Sequence, residues 1–420
     1  MTRHVLHLPV VEHRLDNGLR VVVQPDALAP GVAVNLWYHV GSGDELPGRA
    51  GFAHLFEHLM FQGSTHVASG EHFALLESAG GIANATTSFD RTNYFATVPR
   101  GALELALWLE ADRMAGLAVT QANLDAQREV VKEEKRQSYD NQPYGDLLEL
   151  LLAQHYPTLS PYGHTTIGSM ADLDAAALGD VRGFFSSWYQ PGNAVLTLAG
   201  HVGAEEGVEL AQRYFGDVGV GLAAGERPEV GSHHSPGRLR HTADVPHDLL
   251  YLTWAAPPAT DPASEVLEVL LSVLTDGLSA RLHRRLVKDA DLVESVGSTQ
   301  LGLVRAPSIA AITARVDEGQ SLDAAEDAVL AQLAALESDP PTQAELDRTR
   351  AQIEREFLTA MGQVDTRADL LGGAATLIGD PTHALGFVDR LADITPDDLL
   401  DAARTWLRPD DRFVLTYEKA

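Results

Sequence analysis

The stretch "AHLFEHLMF" (residues 53–61) sets His54 and His58 four positions apart, with Glu57 immediately before the second histidine. In a helix, positions four apart share one face, so the two imidazoles can grip a single ion. Glu57 lies one turn from His54 at the edge of such a site, placed to carry a proton to and from a water rather than to ligate. Leu55, Phe56, Leu59, Met60 and Phe61 make the stretch apolar on most sides, which predicts a buried helix. Burying two imidazoles and a carboxylate together is costly unless something pairs them, and a metal ion does so. The competing reading is an apolar helix whose histidines are incidental.

A catalytic zinc takes three protein ligands and keeps a fourth position open. The chain has no cysteine, which excludes disulfides and thiolate sites, so the third ligand must be His, Asp or Glu. The stretch "LDAQREVVKEEKRQ" offers Glu129, Glu133 and Glu134. Its apolar marks are Leu124, Val130 and Val131, and Glu134 follows the two valines at helical spacing. Glu133 is turned further from that stripe and Glu129 lies well off it, which favours Glu134. A glutamate at the matching place in the second half, Glu356, has no histidine pair before it. A carboxylate at this helical position is therefore not a ligand signal by itself.

The bulk composition bounds what can surround such a site. With 420 residues, 45% of them hydrophobic and 21% charged, the chain reads as a globular protein long enough for two domains. A net charge of −28 excludes a nucleic-acid or anionic-membrane surface as the main partner. No apolar run approaches the roughly 18 residues needed to span a bilayer, so no membrane insertion is expected. The first residues do not have the pattern of a secretory signal, which points to the cytoplasm.

The elements that must position the site come in two echoing sets. "TQANLDAQR" begins at Thr120 and "TQAELDRTR" at Thr342, while "WYQPGNAVLT" begins at Trp188 and "WLRPDDRFVLT" at Trp406. "NLWYHVG" and "YLTWAAP" set Trp37 against Trp254. Similar offsets in the same order indicate a duplicated unit of roughly 200 residues. The expected organisation is a zinc-bearing domain over 1–222, a Gly/Pro/Ser-rich linker over 223–238 and a homologous domain without a metal site over 239–420. His233 and His234 fall in that linker and read as solvated. The Asn17-Gly18 pair predicts a hairpin, "GVAVNLWYHV" alternates like a strand, and helical patterns run over about 50–62, 70–79, 101–116 and 120–140. Strands and helices mixed without strict alternation predict an α+β fold, each half a mostly antiparallel sheet with helices packed on one face.

"GDELPGRAGFAHLFEHLMFQGS", "GGIANATTSFDRTNYF" and "REVVKEEKRQ" together resemble the pitrilysin/insulinase-like zinc metallopeptidases, and among them the bacterial relatives of the mitochondrial processing peptidase. The resemblance spans the chain. It implies one Zn2+ held by His54, His58 and Glu134, with Glu57 as general base, and places the third ligand where helix phase does. It further implies two halves, each with about six strands, arranged as a clam shell that closes a chamber with a second such chain. Peptide substrates would bind as an added β-strand along the run that carries Asn84 and Ala85, a sequence-tolerant mode.

Two departures from the family pattern matter. Many members carry a second acidic residue seven positions before the third ligand, supporting the site from behind, where this chain has Gln127. Complete members also carry, in the second half, an Arg-Leu-Tyr-x-x-Leu-Arg stretch followed seven residues later by Tyr, a pair that clamps the substrate carbonyl. This chain reads "SARLHRRLVKDADLVESV": Arg281 and Leu282 match, but His283, Val287 and Glu294 stand at the first Tyr, the last Arg and the second Tyr. The second half has a histidine-free counterpart of the zinc helix, "DPASEVLEVLLSVL", with Asp261 as N-cap and Pro262 at N1. The expectation is the zinc-bearing subunit of a heterodimer whose homologous partner supplies the Arg/Tyr pair, with a homodimer as the alternative. A non-catalytic scaffold subunit of the same family is the rival function.

Overall fold

The computed structural model describes residues 7–157, 159–220 and 225–420. Residues 1–6, part of the stretch read for a secretory signal, and residues 223–224 of the expected linker lie outside the described residues.

The first sheet orders its strands β1-β2-β6-β3-β5-β4. β1 (Val11–Arg14) and β2 (Arg20–Pro25) form the hairpin around Asn17-Gly18, where Gly18 has φ +94, a conformation that favours glycine. Asn17 locks the turn by donating its amide to the Phe215 and Val218 carbonyls. β3 (Val32–Tyr38), β5 (Thr92–Val98) and β6 (Ala194–Gly200) are central, and β4 (Ile82–Thr87) is an edge. All pairings are antiparallel except β2 with β6. The helices between β3 and β6 in the chain include α1 (Phe52–Leu59), α2 (Glu71–Ser78), α3 (Leu103–Ala115) and α4 (Gln121–Lys135).

Every residue of β3 and β6 is buried, so both faces of the sheet centre are covered. On one face Tyr38 and Tyr94 pack with Phe56 of α1 and Tyr189. On the other lies the helix Val364–Gly373, from the second half of the sequence. Ala368 meets Ala33 and Ala199, Leu371 joins Trp37 and Val195, and Asp369 accepts from the Asn35 and Asn93 amides. Gly372 lets the helix approach this closely, since a Cβ there would stand 2.9 Å from the Trp37 ring.

The second sheet repeats this plan with five strands: β7 (Gly237–Ala243), β8 (Leu249–Ala256), β9 (Val293–Leu301), β10 (Ser308–Val316) and β11 (Phe413–Lys419). Their order, β7-β11-β8-β10-β9, matches β2-β6-β3-β5-β4 strand for strand, including the one parallel pair, β7 with β11. Trp37 and Trp254 stand on equivalent strands, as the echoes require. The duplication is thus visible in topology. The compact units are not contiguous in sequence, however. Residues 1–135, 164–229 and 357–387 form one, and residues 136–163, 230–356 and 388–420 form the other.

Within the second unit the helix Leu147–His155 packs Leu151 on Phe413, Leu415 and Tyr417. The helix Pro262–Thr275 starts as expected, with the Asp261 carboxylate accepting the Ala263 N–H, and buries Leu267, Leu270, Leu271 and Leu274. His234 departs from the solvated reading: its ring stacks on buried His155 with centroids 4.6 Å apart, and it binds the Asp411 carbonyl. The composition of a linker does not report what the linker packs against.

His155 also bonds Thr253 and is pushed down to about 3, first by burial and then by the His234 charge. The unfolded chain takes up this proton near pH 6.5, the folded one only near 3, so stability falls as pH drops through that window. His155→Gln, which retains a partner for Thr253, is expected to remove up to about 3 kcal/mol of the loss between pH 7 and 4. Denaturant midpoints across that range check it, and parallel pH curves for variant and wild type would rule it out.

Candidate active site

α1 is buried along Phe52, Ala53, Leu55, Phe56 and Leu59, which leaves His54, Glu57 and His58 on its half-buried face. Its N-cap, Gly51, has no side chain to satisfy the first N–H groups. Glu45 does so from outside the helix, accepting from the Gly51 and Ala53 N–H at 2.9 and 2.6 Å. Nothing in the motif's own spacing reveals this remote cap.

α4 lies against α1. Asn123 donates to the Gln62 carbonyl just past α1, and Arg128 to the Leu173 and Ala176 carbonyls. The stripe that faces inward is narrower than the apolar spacing predicts: Leu124 and Val131 are fully buried, but Val130 is 47% exposed. Glu134, one turn beyond Val131, still reaches the histidines. Glu133 is exposed, and Glu129 pairs with Lys132 in solvent.

Glu134 brings one oxygen to 3.7 Å from His54 Nε2 and the other to 3.3 Å from His58 Nε2. Ligand atoms of the three residues all lie within 4.8 Å of one another, the group of this kind found among the described residues. A tetrahedral zinc with bonds near 2.0–2.1 Å needs donor atoms about 3.3 Å apart. The two-imidazole, one-carboxylate set fits zinc in donor chemistry, and the two separations from Glu134 lie within about 0.4 Å of that spacing. Gln127, one turn before Val131, hydrogen-bonds His58. His54 Nδ1 is buried with no hydrogen-bond partner among the described residues, which leaves Nε2 as the nitrogen that faces Glu134.

The electrostatics follow from this geometry. Burial, then the neighbouring His58 charge, lowers His54 to about 4, keeping its ring neutral with a lone pair for a metal. Burial also opposes charge on His58, but the hydrogen bond and charge of Glu134 and the charge of Glu57 outweigh it and raise its pKa. The bond to His58 holds Glu134 below its usual range. A cation held at the centre would take the place of the His58 proton, as metal binding generally does. Burial lifts Glu57 above the usual carboxylate range, against a hydrogen bond donated by Thr87 Oγ1 to Oε2 at 2.5 Å. The spacing of the zinc motif carries no sign of Thr87. Its alternation from buried Ala85 along β4 was the available signal.

Asn84 and Ala85 lie on β4, whose outer side has no partner strand in the sheet. Asn84 is exposed, and its Oδ1 accepts the Ala85 N–H at 2.9 Å. Arg281 binds Glu345 and the Asp339 and Pro340 carbonyls, a buried anchor rather than an exposed clamp. Glu294 pairs with Arg315 and lies 3.8 Å from His247. Glu356, the counterpart of Glu134, is exposed and bonds Gln352 and Arg355.

Residues 20–168 match the family model described as Insulinase (Peptidase family M16), and residues 176–353 match that of the Peptidase M16 inactive domain. Zinc protease PqqE of Helicobacter pylori is 30% identical over 403 residues, 94% of this chain and 89% of that protein. An uncharacterised zinc protease of Streptomyces coelicolor is 26% identical over 400 residues, 93% of this chain and 85% of that one. Among solved structures, a protease from Helicobacter pylori is similar with a TM-score of 0.90 at 27% identity, covering 98% of this chain and 100% of that one. The periplasmic protease PqqL of Escherichia coli shares the fold, with a TM-score of 0.81 at 20% identity over 99% of this chain and 48% of its own. Among the described residues, no helix is long and apolar enough to cross a membrane.

Proposed function

Because this chain belongs to the insulinase-like M16 peptidase family, we propose that it is the zinc-bearing, catalytic chain of a metalloendopeptidase. The observation that carries the reading is the convergence of His54, His58 and Glu134, with the Glu57 carboxylate beside them. His54, His58 and Glu134 would hold the ion through two imidazoles and a carboxylate. Zinc held there supplies a Lewis acid that makes water nucleophilic at neutral pH and polarises a carbonyl.

The chain's own residues do the rest. Glu57 accepts the proton of the attacking water and returns it to the leaving amine, a shuttle favoured by its raised pKa. Gln127 orients His58. The unpaired edge of β4, at Asn84 and Ala85, accepts the peptide in extended form through main-chain hydrogen bonds.

The second half contributes no carbonyl clamp in this reading, since Val287 and Glu294 stand where the family has Arg and Tyr. A homologous partner chain carrying Arg and Tyr seven apart completes the site. The test is a chelator-sensitive peptidase assay on the chain alone and mixed with such a partner. Activity that needs both zinc and the partner is the expected result. A full rate from the chain alone removes the partner, and a mixture with neither bound zinc nor activity favours the scaffold role.

A further inference from the structure

We propose that Thr87 is a positioning residue that ties the register of a bound peptide to the orientation of Glu57. The inference rests on Glu57 being the proton carrier and goes beyond it by naming what aims its carboxylate.

Thr87 ends β4, the outermost strand of its sheet. In the hairpin to β5, the Ser88 N–H donates to the Arg91 carbonyl at 2.8 Å, which makes that pair hydrogen-bonded. Thr87, opposite Thr92, belongs to the next pair in the ladder, whose main-chain groups alternate to the other side. Its N–H and C=O therefore face the free edge, as do those of Ala85, opposite Tyr94. A peptide added to this edge hydrogen-bonds Thr87 itself.

The side chain of the same residue points to α1. Its Oγ1–H donates to Glu57 Oε2 at 2.5 Å, a charge-assisted bond to a half-buried carboxylate. A hydroxyl has one proton to give, so holding Oε2 leaves Oε1 as the oxygen that meets the water. The β-branched side chain has few rotamers, so a shift of the Thr87 backbone is passed on to the hydroxyl. A peptide in the wrong register leaves the Thr87 main chain unpaired or displaced, and Glu57 is then misaimed.

The experiment compares Thr87→Val and Thr87→Ser with wild type, in the assembly that gives the wild type its full rate. Thr87→Val is expected to lower kcat about 10- to 100-fold, with KM within about twofold and zinc content unchanged. Thr87→Ser, which keeps the hydroxyl, is expected to restore kcat to within about threefold. A second readout needs no activity: in metal-free protein, Thr87→Val lowers Tm, but not when Glu57→Ala has already removed its partner. An unchanged kcat, a raised KM in its place, loss of zinc, failure of serine to rescue, or additive Tm shifts overturns the proposal. A wild type with no chelator-sensitive activity overturns the peptidase reading instead, and the Tm cycle still decides the Thr87–Glu57 contact.

Discussion

Glu57→Gln is expected to keep one zinc per chain while peptide hydrolysis falls by about 10²- to 10⁴-fold, the range for losing a positioned proton carrier. The amide has nearly the carboxylate's shape, and its carbonyl still accepts from Thr87 Oγ1, so β4 and α1 stay where they are. What is lost is the basic site that takes a proton in one step and gives it back in the next. Titrating bound zinc alongside the rate separates the outcomes. If zinc leaves with the activity, Glu57 is a ligand; if the rate survives, another group carries the proton.

The second large effect comes from the ligands. His58→Ala and Glu134→Ala are each expected to weaken zinc binding by more than about 100-fold, beyond the loss typical of an outer hydrogen-bond partner. Hydrolysis should fall to background with it, because three protein donors are the minimum for a catalytic site. The Glu134 carboxylate faces the two imidazoles, while α4 is held by Leu124, Val131 and Arg128. The fold should therefore survive its removal. Glu356→Ala provides the control, since it alters the equivalent helix where no histidines wait; metal content and rate should not change. Zinc retained at full stoichiometry in Glu134→Ala would remove it from the ligand set.

The grouping of His54, His58 and Glu134 was legible because its parts follow local rules. His54 and His58 are separated by one helical turn, and Glu134 by helix phase from an apolar stripe. Even there one mark misleads: Val130 is exposed, and the inward phase rests on Val131 with Leu124. The supports of the site were harder to read because they are tertiary pairs between residues with no periodic relation. Glu45 caps α1 from a loop, and Thr87 meets Glu57 across two elements. His234 looked solvated because composition describes a segment, not the ring it stacks on. The helix Val364–Gly373 was the least visible element. Its contact residues are small, Ala368 and Gly372 among them, and small residues chosen for close approach leave little hydrophobic pattern.

That helix bears on how the protein is made. The unit holding His54, His58 and Glu134 needs residues 357–387 to finish its own core, and these are synthesised after most of the other unit has emerged. The histidine helix is translated early, yet its sheet keeps Trp37, Ala33 and Ala199 bare until nearly the end of the chain. A nascent chain in that state presents an unshielded apolar face for most of its time on the ribosome, a natural substrate for a holdase chaperone. A gene cut after the linker would leave the complete zinc motif on a half that stays in that condition.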